Sequence, residues 1–249
     1  MNKYEFQKLI DTEESNWWYR SRRRIIHNYL SDRYPKTPDR KILDVACAIG
    51  TNFFKFKEYG TITGIDVSEE SLNICKKRGI DRVVKADVLN LPFENNSFDM
   101  IFSFDALEHF ENDTAAIHEL SRVLKNDGAI IVTVPANMLL WSNHDVSYHH
   151  FRRYTSHDLK VKFCNNGFKM EFITYWSMAI FFPVLMLRKI RTFFAKSDKQ
   201  VKSDFFIKIP IWIERTLNNI QVCESWLIKK GVKLPVGVSL FCVVKKGDS

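Results

Sequence analysis

The stretch Lys41-Ile42-Leu43-Asp44-Val45-Ala46-Cys47-Ala48-Ile49-Gly50-Thr51-Asn52, a helical run, and then Thr61-Ile62-Thr63-Gly64-Ile65-Asp66 decide how this chain folds. A short apolar run stops at an acid, meets a turn of small residues and opens a helix. That order is how a doubly wound α/β sheet presents a nucleotide site. Small residues matter there, because only Gly or Ala lets the backbone come within contact distance of a ligand. Asp66 closes the second strand at its carboxyl edge, just before Val67. An acid in that place can accept both hydroxyls of a ribose, which suits an adenosine cofactor. Ala-Cys-Ala-Ile-Gly departs from G-x-G-x-x-G, so the reading leans on the spacing to Asp66 and on the motifs downstream of it.

Those motifs are Val83-Val84-Lys85-Ala86-Asp87-Val88-Leu89 and then Phe98-Asp99-Met100-Ile101-Phe102-Ser103-Phe104-Asp105-Ala106-Leu107-Glu108-His109. From Lys41 to Pro135 the motifs together resemble the class I S-adenosylmethionine-dependent methyltransferases. The resemblance implies a Rossmann-like, doubly wound, mainly parallel α/β sheet of seven strands with the last one antiparallel. It also implies S-adenosylmethionine as cofactor. Asp44 and the turn through Ala46, Ala48 and Gly50 would hold its methionine end, and Asp66 with Val67 the ribose. Asp87 and Val88 would read the adenine, and Asp105 would face the sulfonium. The family usually carries Gly where this chain has Ala46 and Ala48. If Ala48 takes a positive φ, the strain is roughly 1 kcal/mol. Weakened cofactor binding, and with it a non-catalytic module on the same fold, is the alternative this raises.

A chain of 249 residues, 45% hydrophobic, has material for one core. We expect one domain: a helical lid over 1–40, a cofactor-binding core over 41–174, a helical insertion over 175–235 and a final strand over 236–249. Five cysteines without C-x-x-C spacing argue for reduced thiols in a cytosolic compartment. The polar start carries no signal-peptide pattern. A net charge of +8 favours acidic partners. Nucleic acid ranks low among them, because the basic residues are dispersed and no aromatic-basic platform stands out.

Residues 3–34 carry helical periodicity around Trp17-Trp18-Tyr19-Arg20-Ser21-Arg22-Arg23-Arg24. The tryptophans either anchor this helix on the sheet or, with Arg20, wall a substrate site. The segment is similar to the Trp-Trp-aromatic motif of a methyltransferase subgroup frequent in polysaccharide and lipid-linked biosynthesis, with Asn16 in place of a usual His. His109 either meets substrate or caps the next helix.

A second informative stretch is Trp141-Ser142-Asn143-His144-Asp145-Val146-Ser147-Tyr148-His149-His150-Phe151-Arg152-Arg153-Tyr154. Imidazoles, a carboxylate and guanidiniums in a loop without apolar period suit substrate chemistry at the carboxyl edge of the sheet. It resembles the His-Asp and His-x-Arg-Arg-Tyr pattern of the same subgroup. His144 or His150, held in tautomer by Asp145, would take a proton from an alcohol acceptor. Arg152 and Arg153 would grip an anionic group on it, with Tyr154 beside them. The bland reading has these arginines merely bracing the next helix. A metal site from His144, Asp145, His149 and His150 is disfavoured, since no helix sets ligands at i, i+4; no metal is expected.

Tyr175 to Leu187 is largely apolar and followed by cations, too short to span a bilayer. It reads as an interfacial anchor, a buried cap, or a dimer face, with a second amphipathic stretch from Phe205 to Lys230. The resulting expectation is O-methylation of a sugar, glycan or lipid-linked acceptor, in the cytoplasm or at the inner membrane face, with a soluble small molecule as the alternative acceptor.

Overall fold

The protein is described by a computed structural model covering residues 13–14, 16–194 and 210–247. Seven strands form one sheet: β1 (Lys41–Val45), β2 (Thr61–Asp66), β3 (Val83–Lys85), β4 (Phe98–Phe104), β5 (Leu124–Pro135), β6 (Phe168–Trp176) and β7 (Ser239–Lys246). Their order across the sheet is β3-β2-β1-β4-β5-β7-β6. β1 pairs in parallel with β2 and β4, and β7 alone runs antiparallel, wedged between β5 and β6. The strand order reverses beside β1, which places a crevice at the carboxyl ends of β1 and β4.

The strands are apolar on both faces because both faces are covered. Leu43, Ile101, Ile130, Val132 and Leu240 point to one layer, which contains α4 (Asp113–Val123) and α6 (Ser156–Cys164) through Ile117, Leu120, Leu159 and Phe163. Ile42, Met100, Phe102, Ile131 and Phe241 point to the other, filled by α1 (Trp17–Arg33) through Ile25, Ile26, Tyr29 and Leu30. Alternation along each strand therefore fixes which helix it serves.

Two short helices complete the cofactor side, α2 (Thr51–Phe56) and α3 (Glu69–Lys77), the latter capped by Ser68 Oγ, which accepts from Ser71 N–H at 3.2 Å. The helix expected over 3–34 is seen from Trp17 onward, the residues before Glu13 lying outside those described. Asn16 is its N-cap: its Oδ1 accepts from Trp18 N–H at 2.8 Å, a task a short amide does well.

Two boundaries differ from expectation. The turn signal Asn126-Asp127-Gly128 leads to the expectation of a helix that ends there, before a strand starting at Ala129. Instead β5 starts at Leu124, and the segment is a bulge in it, Asp127 taking φ 61° and the register to β4 shifting there. The apolar run from Tyr175 also divides. Tyr175 and Trp176 end β6, and helix α7 (Phe181–Phe194) begins with Pro183 in its first turn, where the missing N–H costs nothing. Within Phe205 to Lys230, α8 (Ile211–Lys229) is described, and the part before 210 lies outside the described residues.

α8 packs along α1, tied by Arg20 to Glu214 at 3.0 Å, Arg24 to Asn218 at 3.2 Å and Lys229 to Asp32 at 3.0 Å. Gln221 Nε2 donates to Ser177 Oγ at 2.8 Å, and Glu224 Oε1 accepts from Ala179 N–H at 3.0 Å. The helical segment between β6 and β7 is thereby fastened over the carboxyl edge of the sheet. No described helix is long and apolar enough to cross a membrane.

Candidate active site

One cavity of about 1460 Å³ opens at the carboxyl edge of β1, β2 and β4. At its cofactor end the turn after β1 is held in left-handed backbone: Ala46 at φ 53°, Ala48 at φ 48° and Gly50 at φ 75°. Gly50 is confined twice, since a Cβ there would lie 2.4 Å from Ile80 Cδ1. It packs the turn on α3 rather than lining the cavity, whereas Ala46, Cys47 and Ala48 do line it.

Asp66 clasps this turn. Its Oδ2 accepts from Ala48 N–H and its Oδ1 from Ser68 N–H, both at 2.9 Å. Burial pushes the carboxyl up, and these backbone donors oppose the shift. Asp66, Val67, Asp87 and Val88 all line the same end. Asp44 lies behind it, 1% exposed, with Asn52 Nδ2 donating to both oxygens at 3.0 and 3.1 Å. Burial pushes the Asp44 carboxyl up to about 7. Asp44 therefore supports the turn through Asn52, which does face the cavity.

The two alanines carry the strain expected of them. Ala46→Gly and Ala48→Gly should each raise folding stability by about 0.5–1 kcal/mol, the relief of left-handed strain less the entropy of a new glycine. Chemical denaturation midpoints of the two variants check this.

Asp105, itself at φ 52°, closes the middle of the cavity. Its Oδ2 accepts from Arg22 Nη1 at 2.6 Å and its Oδ1 from Thr133 Oγ1 at 3.0 Å. Sequence does not single out Arg22, although it stands four residues after Trp18 and so on the same helix face. Arg20, to which the sequence does point, is exposed and spends its charge on Glu214. Trp18 lines the cavity and packs on Trp176 at 4.4 Å between ring centroids.

The segment after β5 forms a 3-10 turn, Met138–Leu140, and then a short helix, α5 (Asn143–Ser147), with a reciprocal cap between Ser142 and Asp145. Asp145 is fully buried; its Oδ1 meets His150 Nδ1 at 2.9 Å and Arg153 Nε at 2.7 Å. Burial raises the carboxyl's pKa, but His150 and Arg153 outweigh it and hold the group below the usual carboxylate range. An ionised Asp145 only accepts, so the neutral tautomer of His150 that this bond selects has its proton on Nδ1 and its lone pair on Nε2. His150 lines the cavity together with His109 and His144, their rings 4.7 and 5.6 Å from its own. Burial pushes His109 down to about 3 and His144 well below the ordinary imidazole value, so both are neutral at neutral pH.

The other loop residues go elsewhere. Arg152 pairs with Asp113 at 2.8 Å and donates to Glu111 O at 2.6 Å. Tyr154, 1% exposed, donates to Asp113 at 2.8 Å. Neither lines the cavity; they brace the corner before α4. Arg153 does reach the cavity wall, but its Nε is taken by Asp145. Glu108, which belongs to the motif running from Asp105 to His109 but is not among the site residues read from the sequence, also lines the cavity and is 1% exposed. The wall on the side of α7 and α8 is mainly apolar, from Ile180, Pro183, Val184 and Leu187 and from Leu217 and Ile220, with Arg188 of α7 the charged side chain among them.

A family profile described as "Methyltransferase domain" matches residues 43–132, from β1 into β5. An uncharacterized protein of Methanocaldococcus jannaschii is 30% identical over 182 residues, 71% of this chain and 77% of that one. A demethylmenaquinone methyltransferase of Staphylococcus haemolyticus is 29% identical over 139 residues, 52% of this chain and 55% of that one. The chain thus spans little more than half the length of that curated relative. Among solved structures, an S-adenosylmethionine-dependent methyltransferase from Mesorhizobium loti superposes with a TM-score of 0.58 at 13% identity, covering 93% of this chain and 99% of that one. The chain belongs to the class I S-adenosylmethionine-dependent methyltransferases. S-adenosylmethionine is its methyl donor, and the turn, Asp66 and the floor of small side chains fit that group at one end of the cavity.

Proposed function

We propose that the chain methylates a hydroxyl oxygen of an acceptor with an apolar body, a lipid-linked glycan or a similar amphipathic alcohol, at a membrane surface. The observation that carries this is the make-up of the cavity beyond the cofactor end: an Asp145–His150 pair set against walls from α7 and α8. Bound S-adenosylmethionine supplies a methyl group already activated on a sulfonium, so the protein's work is positioning and proton handling. As the new O–C bond forms, the hydroxyl loses its proton to His150 Nε2, and Asp145 stabilises the resulting imidazolium. Trp18 and the apolar walls orient the acceptor body and exclude water. The bonding of Arg152 and Arg153 to Asp113 and Asp145 argues against their gripping an anionic group on the acceptor.

The face of α7 that turns away from the cavity supports delivery from a membrane. Phe182, Met186 and Ile190 repeat at four-residue spacing and stay exposed, Phe182 by 68%, with Lys189 beside them and Trp212 of α8 exposed by 68%. An apolar stripe with a cationic flank suits an anionic bilayer surface. The expected result is co-flotation of the protein with liposomes containing anionic lipid. The double variant Phe182→Asp with Met186→Asp should stay in the unfloated fraction while binding S-adenosylhomocysteine as before. Wild-type protein that never floats would remove the membrane from this reading and favour a soluble acceptor.

A further inference from the structure

We infer that Glu108, His109 and His150 form a binding site for a divalent first-row transition-metal ion. Each offers one ligand atom, and these atoms all lie within 4.8 Å of one another. Ligands around such an ion sit about 2.0–2.2 Å from it, hence roughly 3–3.5 Å apart, so side-chain adjustments of about 1 Å close the site. No other described group of three such residues meets this criterion.

The strongest sign is Glu108. Its carboxylate is 1% exposed, and neither oxygen is hydrogen-bonded to any other described residue. A buried acid left in that state is costly, and a cation between it and two imidazoles removes the cost. The histidines are also set as ligands are. His150 gives its Nδ1–H to Asp145, the carboxylate–imidazole arrangement that aims the opposite nitrogen at a metal. Asp145 is in turn fixed by Arg153 and by its cap at Ser142 N–H, 2.9 Å away. The His109 ring stands edge-on to that of His150, 4.7 Å between centroids. The 3-10 turn Leu107–His109 presents Glu108 and His109 from the end of β4, while His149, at φ 56°, turns the chain so that His150 meets them from the opposite side.

Two imidazoles and one carboxylate are a borderline donor set, suited to Zn²⁺, Mn²⁺, Fe²⁺ or Co²⁺ and poor for Mg²⁺. All three residues line the cavity, so an ion held by them would keep its remaining positions open to it. The consequence rests on the hydroxyl-methylation reading above, although binding of the ion does not. With an ion in place the Nε2 lone pair of His150 would be committed to it; the metal would lower the pKa of a coordinated acceptor hydroxyl, whose proton would leave to solvent water as the methyl group is transferred.

The test uses the full chain, stripped by chelator and dialysed, with no acceptor present. Co²⁺ and Zn²⁺ are titrated by calorimetry, and Co²⁺ also by its visible absorption. The expected result is one ion per chain at micromolar affinity or tighter, with no saturable heat from Mg²⁺. Glu108→Gln and His109→Gln should each weaken binding at least 100-fold, with S-adenosylhomocysteine binding confirming that each variant is folded. If Glu108→Gln does not fold, His109→Gln decides alone. Absence of saturable binding to the wild type, or equal affinity in a folded variant, would overturn the site. A metal-binding protein that methylates no hydroxyl would instead overturn the proposed function and leave the site standing.

Discussion

Asp145→Ala should lower folding stability by about 3–5 kcal/mol, the cost of removing one partner from a buried ion pair. The magnitude reflects the groups left behind. Arg153 has 2% of its side chain exposed and makes its charged contact at 2.7 Å with this one carboxylate. Once Asp145 is gone the guanidinium is a buried charge whose remaining hydrogen-bond acceptor among the described residues is the Ala136 carbonyl, 3.3 Å from Nη1. The same truncation removes the reciprocal cap of α5 and frees the His150 ring, whose Nδ1 partner is lost. Loss of methyl transfer should therefore accompany the loss of stability. Double replacement of Asp145 by Ala and Arg153 by Met should recover most of the stability, since the orphaned charge goes with it, but not the activity. Equilibrium urea unfolding of the single and double variants checks both statements.

Asp66→Ala should weaken S-adenosylmethionine binding about 100-fold, or roughly 3 kcal/mol. Two charge-assisted hydrogen bonds to a ribose at about 1.5 kcal/mol each account for it. A further loss comes from within the protein. Asp66 is the group that accepts from Ala48 N–H and keeps the left-handed turn closed on the end of β2. Ala46 and Ala48 lack the glycine freedom that would make such a turn self-sustaining, so this chain depends on the clasp more than a glycine-bearing turn would. Asp66→Asn keeps an acceptor for one backbone donor and should lose less. Calorimetric titration with S-adenosylhomocysteine ranks the three proteins, and equal affinity in all of them would contradict the assignment.

The part of this architecture legible in the sequence is the part fixed by local pattern. The run Lys41–Val45 is apolar on both faces because a helix layer covers each, and that alone separates it from an exposed strand. The acids at Asp66 and Asp105 end strands, so their place at the carboxyl edge is set once the strands are read. Other features depend on phase and on long-range partners. Residues 20 and 22–24 are all arginine, so a cation points in every direction from α1. Only the packing of Trp18 on Trp176 turns Arg22 inward and Arg20 out toward α8. The bond between His150 and Asp145 spans a positive φ at His149, a residue whose sequence carries no mark of it. Glu108 has the look of an ordinary helix-start acid. Its burial is set by the loop carrying His150, whose neighbour Phe151 donates its N–H to the Glu108 carbonyl at 2.8 Å. Asn126-Asp127-Gly128 shows the converse, a strong turn signal spent on a bulge because β4 and β5 continue to pair on either side of it.

The most direct measurement supplies the protein and methyl-labelled S-adenosylmethionine to isolated membranes and tracks where the label goes. It should enter the solvent-extractable lipid fraction as an alkali-stable methyl ether. His150→Ala should reduce that incorporation at least 100-fold while binding S-adenosylhomocysteine normally. Label confined to water-soluble products, or wild-type incorporation by His150→Ala, would contradict hydroxyl methylation of a lipid-linked acceptor by this site.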